Sequence, residues 1–326
     1  MLVKNLIRRL LPAGLLAASV AALLPGAPAA AAGLHVVDLG TLTGTCCSQA
    51  FDINDHGVVV GESQIGVQEN PPERAFRWKN GHMQDLGTLG GPRAWASAIN
   101  DKGEIAGASS LPDGSVHAFL WQPGYGMRDL GTLGGDSVSV GIDEAGNVVG
   151  YYADGTGGLG GFRWHDGVMS PLTTGSGVPI IPASVSANGI IAGTTEGLTV
   201  TWKNGVIQTV SGGTATGVNR FGDVSGDAGQ GAFLRKGGVL RDLALPAGSA
   251  YGSSTDLNDC ADVVGWRTDG YRYRAVWWPK GGAAKLLPGL HGGQTMAWGN
   301  NNKGQIVGQS NLDATTGEYH AVLWTY

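Results

Sequence analysis

Ile99-Asn100-Asp101-Lys102-Gly103-Glu104-Ile105-Ala106-Gly107 decides the fold, because the chain keeps repeating it. Ile53-Asn54-Asp55-His56-Gly57-Val58-Val59-Val60-Gly61 is a near copy. Further versions run from Ile142 to Gly150, Val185 to Gly193, Val218 to Gly226, Leu257 to Gly265 and Asn300 to Gly308. The closing glycines stand at 61, 107, 150, 193, 226, 265 and 308, so the period is 33 to 46 residues. Downstream of each lies an apolar triplet that usually ends in tryptophan: Trp78, Trp121, Trp164, Trp202, Trp278 and Trp324, with Arg235 in the fifth copy. A third landmark, Asp-Leu-Gly-Thr-Leu, begins at Asp38, Asp85 and Asp129 and decays to Asp242-Leu243-Ala244-Leu245. Seven copies keep one order of landmarks, and a fixed period of this length marks a repeat architecture.

Each copy parses into four strands. In the second they fall near Trp95–Asn100, Glu104–Ser109, His117–Gln122 and Met127–Leu133. Asn-Asp-Lys-Gly joins the first two as a tight hairpin, with the glycine free to take positive φ. Pro112-Asp113-Gly114 and Pro123-Gly124 mark the other turns. Four strands per unit of about 42 residues is the pattern of a β-propeller blade. The last copy stops at its third strand, Ala321 to Tyr326, and the missing fourth is present near the start as His35-Val36-Val37-Asp38-Leu39-Gly40. An N-terminal strand that completes the final blade closes the ring and removes its open edge. The fold expected is therefore all-β: a seven-bladed β-propeller closed by the N-terminal strand, four strands per blade. An open solenoid calls for polar capping units at both ends, and the repeats carry none.

Composition agrees. Of 326 residues 57 are glycine and only 14% are charged. Glycine at that density weakens helix interiors, while ten tryptophans supply apolar surface to bury. Counting back from the isoleucine of the first strand, positions −1 and −3 are mostly small (Ala98 and Ala96, Gly141 and Ser139, Gly217 and Ala215, Gly299 and Ala297). The isoleucine position and −2 are mostly larger, as in Ile53 and Phe51 or Ile142 and Val140. Period-two alternation then packs large residues of one blade against small ones of the next.

Residues 1–32 read as a cleaved signal peptide. Lys4, Arg8 and Arg9 make a positive start, Ala13 to Leu24 an apolar core, and Ala30-Ala31-Ala32 the small residues before cleavage. The apolar stretch is too short to span a bilayer. The Sec route is expected ahead of the twin-arginine route, which Leu10-Leu11-Pro12 matches only in part. Residues 33–326 then form one extracellular domain, expected to be monomeric and without membrane insertion. Its formal charge falls from −5 to −8 once the three leader cations are gone, which disfavours nucleic acid as a partner.

The residues resemble a known group, the extracellular HAF-repeat family of bacterial secreted proteins. His117-Ala118-Phe119 fits the name, with Arg74-Ala75-Phe76 and His320-Ala321-Val322 as variants, and Asp-Leu-Gly-Thr-Leu-Gly-Gly recurs at Asp85 and Asp129. Copies one to three and seven carry the likeness best; copies four and five are worn. The resemblance implies secretion and a repeat fold, and brings no assigned activity with it.

Motif chemistry is sparse. The Asn-Asp turns read as turns rather than calcium loops, because the copies keep turn formers and not ligands. No C-x-x-C, H-E-x-x-H or G-x-S-x-G occurs, so no metal, cofactor or catalytic residue is assigned. His117 and His320, at equivalent strand starts, read as hydrogen-bonded strand residues. Cys46 and Cys47 admit an adjacent disulfide or two free thiols, with Cys260 on the opposite face. Asp52 and Asp256 stand at the small −1 position of their strands, as satisfied polar groups or as channel acids. The loops between blades carry Arg93, Trp95, Asp136, Tyr251, His291 and Gln294, of which Arg93, Trp95, Tyr251, His291 and Gln294 form the expected ligand surface, led by Trp95. For Trp95 and its aromatic fellows, ordinary blade packing is the alternative. The function expected is a secreted, non-catalytic binding module for a glycan or protein. The alternatives are an extracellular polysaccharide-acting enzyme using Asp52 and Asp256, and a purely structural envelope protein.

Overall fold

The computed structural model describes residues 33–326 apart from 45, 67–70, 230 and 314–316. The proposed leader, residues 1–32, lies outside the described residues. Seven four-stranded antiparallel sheets surround a common axis, and each consecutive sheet is one blade of a seven-bladed β-propeller. Among the described residues no helix is long and apolar enough to cross a membrane. Blade one holds residues 48–85, blade two 94–131, blade three 137–172, blade four 181–212, blade five 214–242 and blade six 251–286. Blade seven combines Thr295–Asn300, Ile306–Asn311 and Tyr319–Thr325 with His35–Gly40, which pairs antiparallel with Tyr319–Thr325. The ring is closed by its first strand. In blade two the strands are Ala94–Ile99, Ile105–Ser110, Val116–Gln122 and Gly126–Gly131, within two residues of the expected bounds.

Hydrophobic clusters sit between blades rather than inside them. Trp121 and Phe119 of blade two pack onto Val58, Val60 and Ala75 of blade one; Trp324 of blade seven packs onto Val264 and Ala275 of blade six. Phe76, Phe119, Phe162 and Phe233, two or so residues ahead of the tryptophan position, are fully buried. The closing glycine of every repeat lies under a carbonyl oxygen of the inner strand, and in blades two, three and five under the phenylalanine ring as well. A Cβ on Gly107 would lie 2.1 Å from the Trp95 carbonyl oxygen and 2.7 Å from the Phe119 ring. The first glycine answers a different need: Gly103 has φ +79°, as the hairpin turn requires.

Strict alternation fails at one place in every blade. The inner strand carries a β-bulge at position −2, at Phe51, Ser97, Val140, Ala183, Thr216, Thr255 and Trp298. A bulge leaves one residue out of the ladder and re-aims it. These seven residues therefore line the axis instead of packing between blades. Small −1 residues let neighbouring inner strands approach: a Cβ on Gly299 would lie 2.7 Å from the Phe51 carbonyl oxygen of blade one.

The landmark motifs pair with each other. His117 Nδ1 lies 3.0 Å from the Asp129 carboxylate, His320 Nδ1 2.9 Å from Asp38, and Arg74 Nε 3.7 Å from Asp85. The start of the third strand is thus tied to the acid of the fourth in blades two, seven and one. The histidines are hydrogen-bonded strand residues.

Candidate functional site

The Asn-Asp turns do more than reverse the chain. Within its own turn, Asn54 Oδ1 accepts the N–H groups of His56 and Val58, both at 3.0 Å. Its Nδ2 then donates to the Asn100 carbonyl oxygen of blade two at 3.0 Å. Asn100 donates in the same way to Asp143, Asn219 to Asn258, Asn258 to Asn301, and Asn301 back to Asn54. The following residue makes a second layer. Asp101 Oδ1 accepts the N–H of Asp55 at 2.8 Å, and Glu144, Asp259, Asn302 and Asp55 accept equivalent N–H groups. Worn blade four keeps contact differently, through Glu144 N–H to the Ala187 oxygen and Asn188 Nδ2 to the Arg220 oxygen. Where a copy carries Asn followed by Asp, at 54–55, 100–101 and 258–259, the asparagine caps and clasps while the acid receives the neighbour's N–H. Among the described residues, no group of three or more His, Cys, Asp or Glu side chains is placed to hold a metal ion.

This double ring frames an open axial cavity of about 240 Å³ at the hairpin end of the inner strands. The bulged residues form its wall, with Phe51 and Trp298 from adjacent blades as its two aromatic members and Ser97, Thr216 and Thr255 as its hydroxyls. Asp52 and Asp256 line the same cavity. Asp52 accepts the N–H of Ile53 at 2.7 Å and that of Ile99 in blade two at 2.8 Å. Asp256 accepts the N–H of Asn300 in blade seven at 2.9 Å. Burial pushes the Asp52 carboxyl up to about 6. Burial, and then the charge of Asp52, push Asp256 up to about 7. The structure therefore brings these two acids together, and each also bridges a blade interface.

The expected ligand surface lies elsewhere, toward the opposite end of the strands, and it is not one patch. Trp95 is a strand residue, not a loop residue; it is half-buried against the cluster of Ala108, Val116, Val138 and Tyr151. Arg93 Nε lies 3.8 Å from Glu73. Tyr251 also begins a strand, and its ring sits 5.6 Å from Trp266, which in turn is 5.2 Å from Tyr273. Gln294 Oε1 accepts the Tyr273 N–H at 2.9 Å, so Tyr251 and Gln294 share one region of blades six and seven. His291 lies in a short 3-10 turn with Nδ1 3.1 Å from the Leu312 oxygen. Cys46 and Cys47 are joined by a disulfide, and Cys260 is free and exposed.

No family model matches the chain, and no curated protein matches it. Its likeness is to solved structures. The extracellular domain of a putative hybrid two-component system from B. thetaiotaomicron aligns with a TM-score of 0.51 at 11% identity, over 89% of this chain and 40% of that one. A puromycin hydrolase S511A mutant aligns with a TM-score of 0.50 at 12% identity, over 86% of this chain and 52% of that one. At these identities the likeness is one of fold, which hosts many unrelated functions.

Two features escaped the sequence reading. The axial wall was hidden because a bulge, not the alternation, aims it. Glu62 follows the closing glycine of blade one, where blades two and three carry Ala108 and Tyr151. Burial, and then the charge of Glu73, push its carboxyl up to about 8, with Arg93 acting the other way.

Proposed function

We propose that this protein is a secreted, non-catalytic binding module of the HAF-repeat type, acting as a monomer outside the cell and taking a glycan in its axial cavity. One observation carries the reading: the bulges of adjacent blades put Phe51 and Trp298 on a cavity wall beside hydroxyl and carboxyl groups. An apolar aromatic surface with a few polar groups converging on it is the composition of a small-molecule site. Sugars offer both an apolar ring face and hydroxyls to such a wall. The carboxylates of Asp52 and Asp256 accept strand N–H groups, which gives them a structural duty in this reading.

A second reading, an extracellular polysaccharide-acting enzyme, draws on one fact. Asp52 and Asp256 share the cavity and hold their protons toward neutral pH, as a general acid must. The deciding experiment incubates the purified protein with a glycan array and with cell-wall polysaccharides, scoring retained protein and released sugar together. Saturable retention without release, lost in Trp298→Ala, is expected. Sugar release abolished by Asp256→Asn would replace the binding module with the enzyme. Protein retained on neither support would sink both readings.

A further inference from the structure

Blade six departs from the framework at one corner. In blades one, two and seven, the second residue after the closing glycine is a buried serine, and its hydroxyl accepts an N–H from the loop leading into its own blade. Ser63 takes the N–H of Leu42, Ser109 that of Leu89 and Ser310 that of Leu290. In blade six that position is Arg267. The residue directly opposite, in register across the ladder, is Arg274. It holds the position of Arg74, His117 and His320, which pair with Asp85, Asp129 and Asp38.

The acid that should answer Arg274 is missing from the sequence. Asp85, Asp129 and Asp38 stand opposite Phe76, Phe119 and Val322, two residues beyond the cation. The matching residue of blade six, opposite Val276, is Leu286. Two like charges directly opposite on a ladder repel, and a third, Arg272, lies in the same hairpin. Asp269 is the acid nearest to hand: its Oδ2 is 3.6 Å from Arg267 Nη1, too long for a hydrogen bond, and its Oδ1 is engaged by the N–H groups of Tyr271 and Arg272. Among the described residues, Arg267 Nε and Nη1 and Arg274 Nε are buried with no hydrogen-bond partner. Burial, and then the charges of Arg267 and Arg272, hold the Arg274 guanidinium below its usual range.

We propose that Arg267 and Arg274 form an oxyanion-binding site at the corner of blade six, receiving the carboxylate or the sulfate or phosphate group of an acidic ligand where other blades carry their own aspartate. A guanidinium presents N–H donors in a planar fork that matches such groups, and two facing forks offer the oxygens of one anion more donors than a lone lysine would. The site is separate from the axial cavity, so it stands whether or not the glycan reading does.

The test is a thermal-shift and calorimetric titration of the purified protein with sodium sulfate, sodium phosphate and sodium glucuronate, each against chloride at matched ionic strength. A saturable response beyond chloride is expected; sulfate and phosphate against glucuronate tells which group the site prefers. Arg267→Ser, which restores the residue of blades one, two and seven, and Arg274→Met should each weaken the response at least tenfold. Leu286→Asp, which restores the framework acid, should abolish it by supplying an internal carboxylate. Should Leu286→Asp fail to fold, the two arginine variants decide alone. A wild-type response equal to chloride, or one that survives both arginine variants, overturns the site.

Discussion

Asn301 Nδ2 in blade seven donates to the carbonyl oxygen of Asn54 in blade one, at 2.9 Å and across 247 residues of sequence. The same asparagine caps its own turn, its Oδ1 accepting the N–H groups of Lys303 and Gln305. One buried side chain thus shapes a hairpin and joins the two ends of the ring. Asn301→Ala removes all of these bonds and leaves buried partners behind, so a loss of about 3 kcal/mol is expected. Exposed Lys303→Ala should be near neutral. Urea unfolding of both variants checks the contrast, and equal midpoints would refute the clasp.

Gly107 tests the packing of the phenylalanine. An added methyl meets the Trp95 carbonyl oxygen, which is backbone, and the Phe119 ring, which is fully buried. Neither can yield cheaply, so Gly107→Ala should destabilise by about 3 kcal/mol. Gly114, whose Cβ would meet nothing within 4 Å, has φ +88°. There Gly→Ala brings backbone strain alone, about 1 kcal/mol. Thermal melts of the pair separate the two causes.

Deleting residues 33–40 should leave blade seven with Tyr319–Thr325 as a naked edge. That strand is hydrogen-bonded on one side to Ile306–Asn311 and on the other to His35–Gly40. Unpaired edges recruit other strands, so the shortened chain should elute as dimers or larger species in size-exclusion chromatography. A monomer with an unchanged melting temperature would contradict closure by the N-terminal strand.

Acid should stabilise the fold at Glu62 and at the axial acids Asp52 and Asp256. Glu62 is raised from 4.5 to about 8, and Asp52 and Asp256 from 3.8 to about 6 and about 7. The folded state therefore holds these protons more tightly than the unfolded chain. Their contribution is complete below about pH 4 and is lost as pH rises through the folded values. Glu62→Gln keeps the shape and removes the titration, so its unfolding free energy should fall less than wild type between pH 5 and 8.5. Parallel curves would exclude Glu62 as a source of the slope.

Trp298 is half-buried on the cavity wall, and its Nε1 is 3.5 Å from Gln309 Oε1. Replacing it by alanine should reduce glycan affinity at least tenfold, in keeping with the loss of an aromatic anchor. Trp95→Ala, at the buried cluster of blades two and three, should instead lower the melting temperature and leave binding in place. Surface plasmon resonance on both variants reads the difference.

How much was legible in advance follows from what is local. The turn Asn100 to Gly103, the closing Gly107, the buried Phe119 and Trp121 and the strand between them recur with short spacings, and each spacing constrains backbone geometry directly. Seven recurrences and an unpaired final strand were then enough to count the blades and to close the ring with His35–Gly40. The wall of the axial cavity was not legible, because the bulge at Phe51 or Trp298 leaves no mark in the alternation of large and small residues. Asp52 and Asp256 could be named as channel acids from their place in the repeat, but their hydrogen bonds to neighbouring blades could not, and neither could the orphaned pair at Arg267 and Arg274. Those depend on which residues ring closure and strand register bring face to face, and on how far burial strips them of water. Sequence determined the repeat and the order of the strands through local sterics and periodic burial. The tertiary structure alone decided which polar groups share a cavity, because their charges and hydrogen bonds interact across distances the chain spans only when folded.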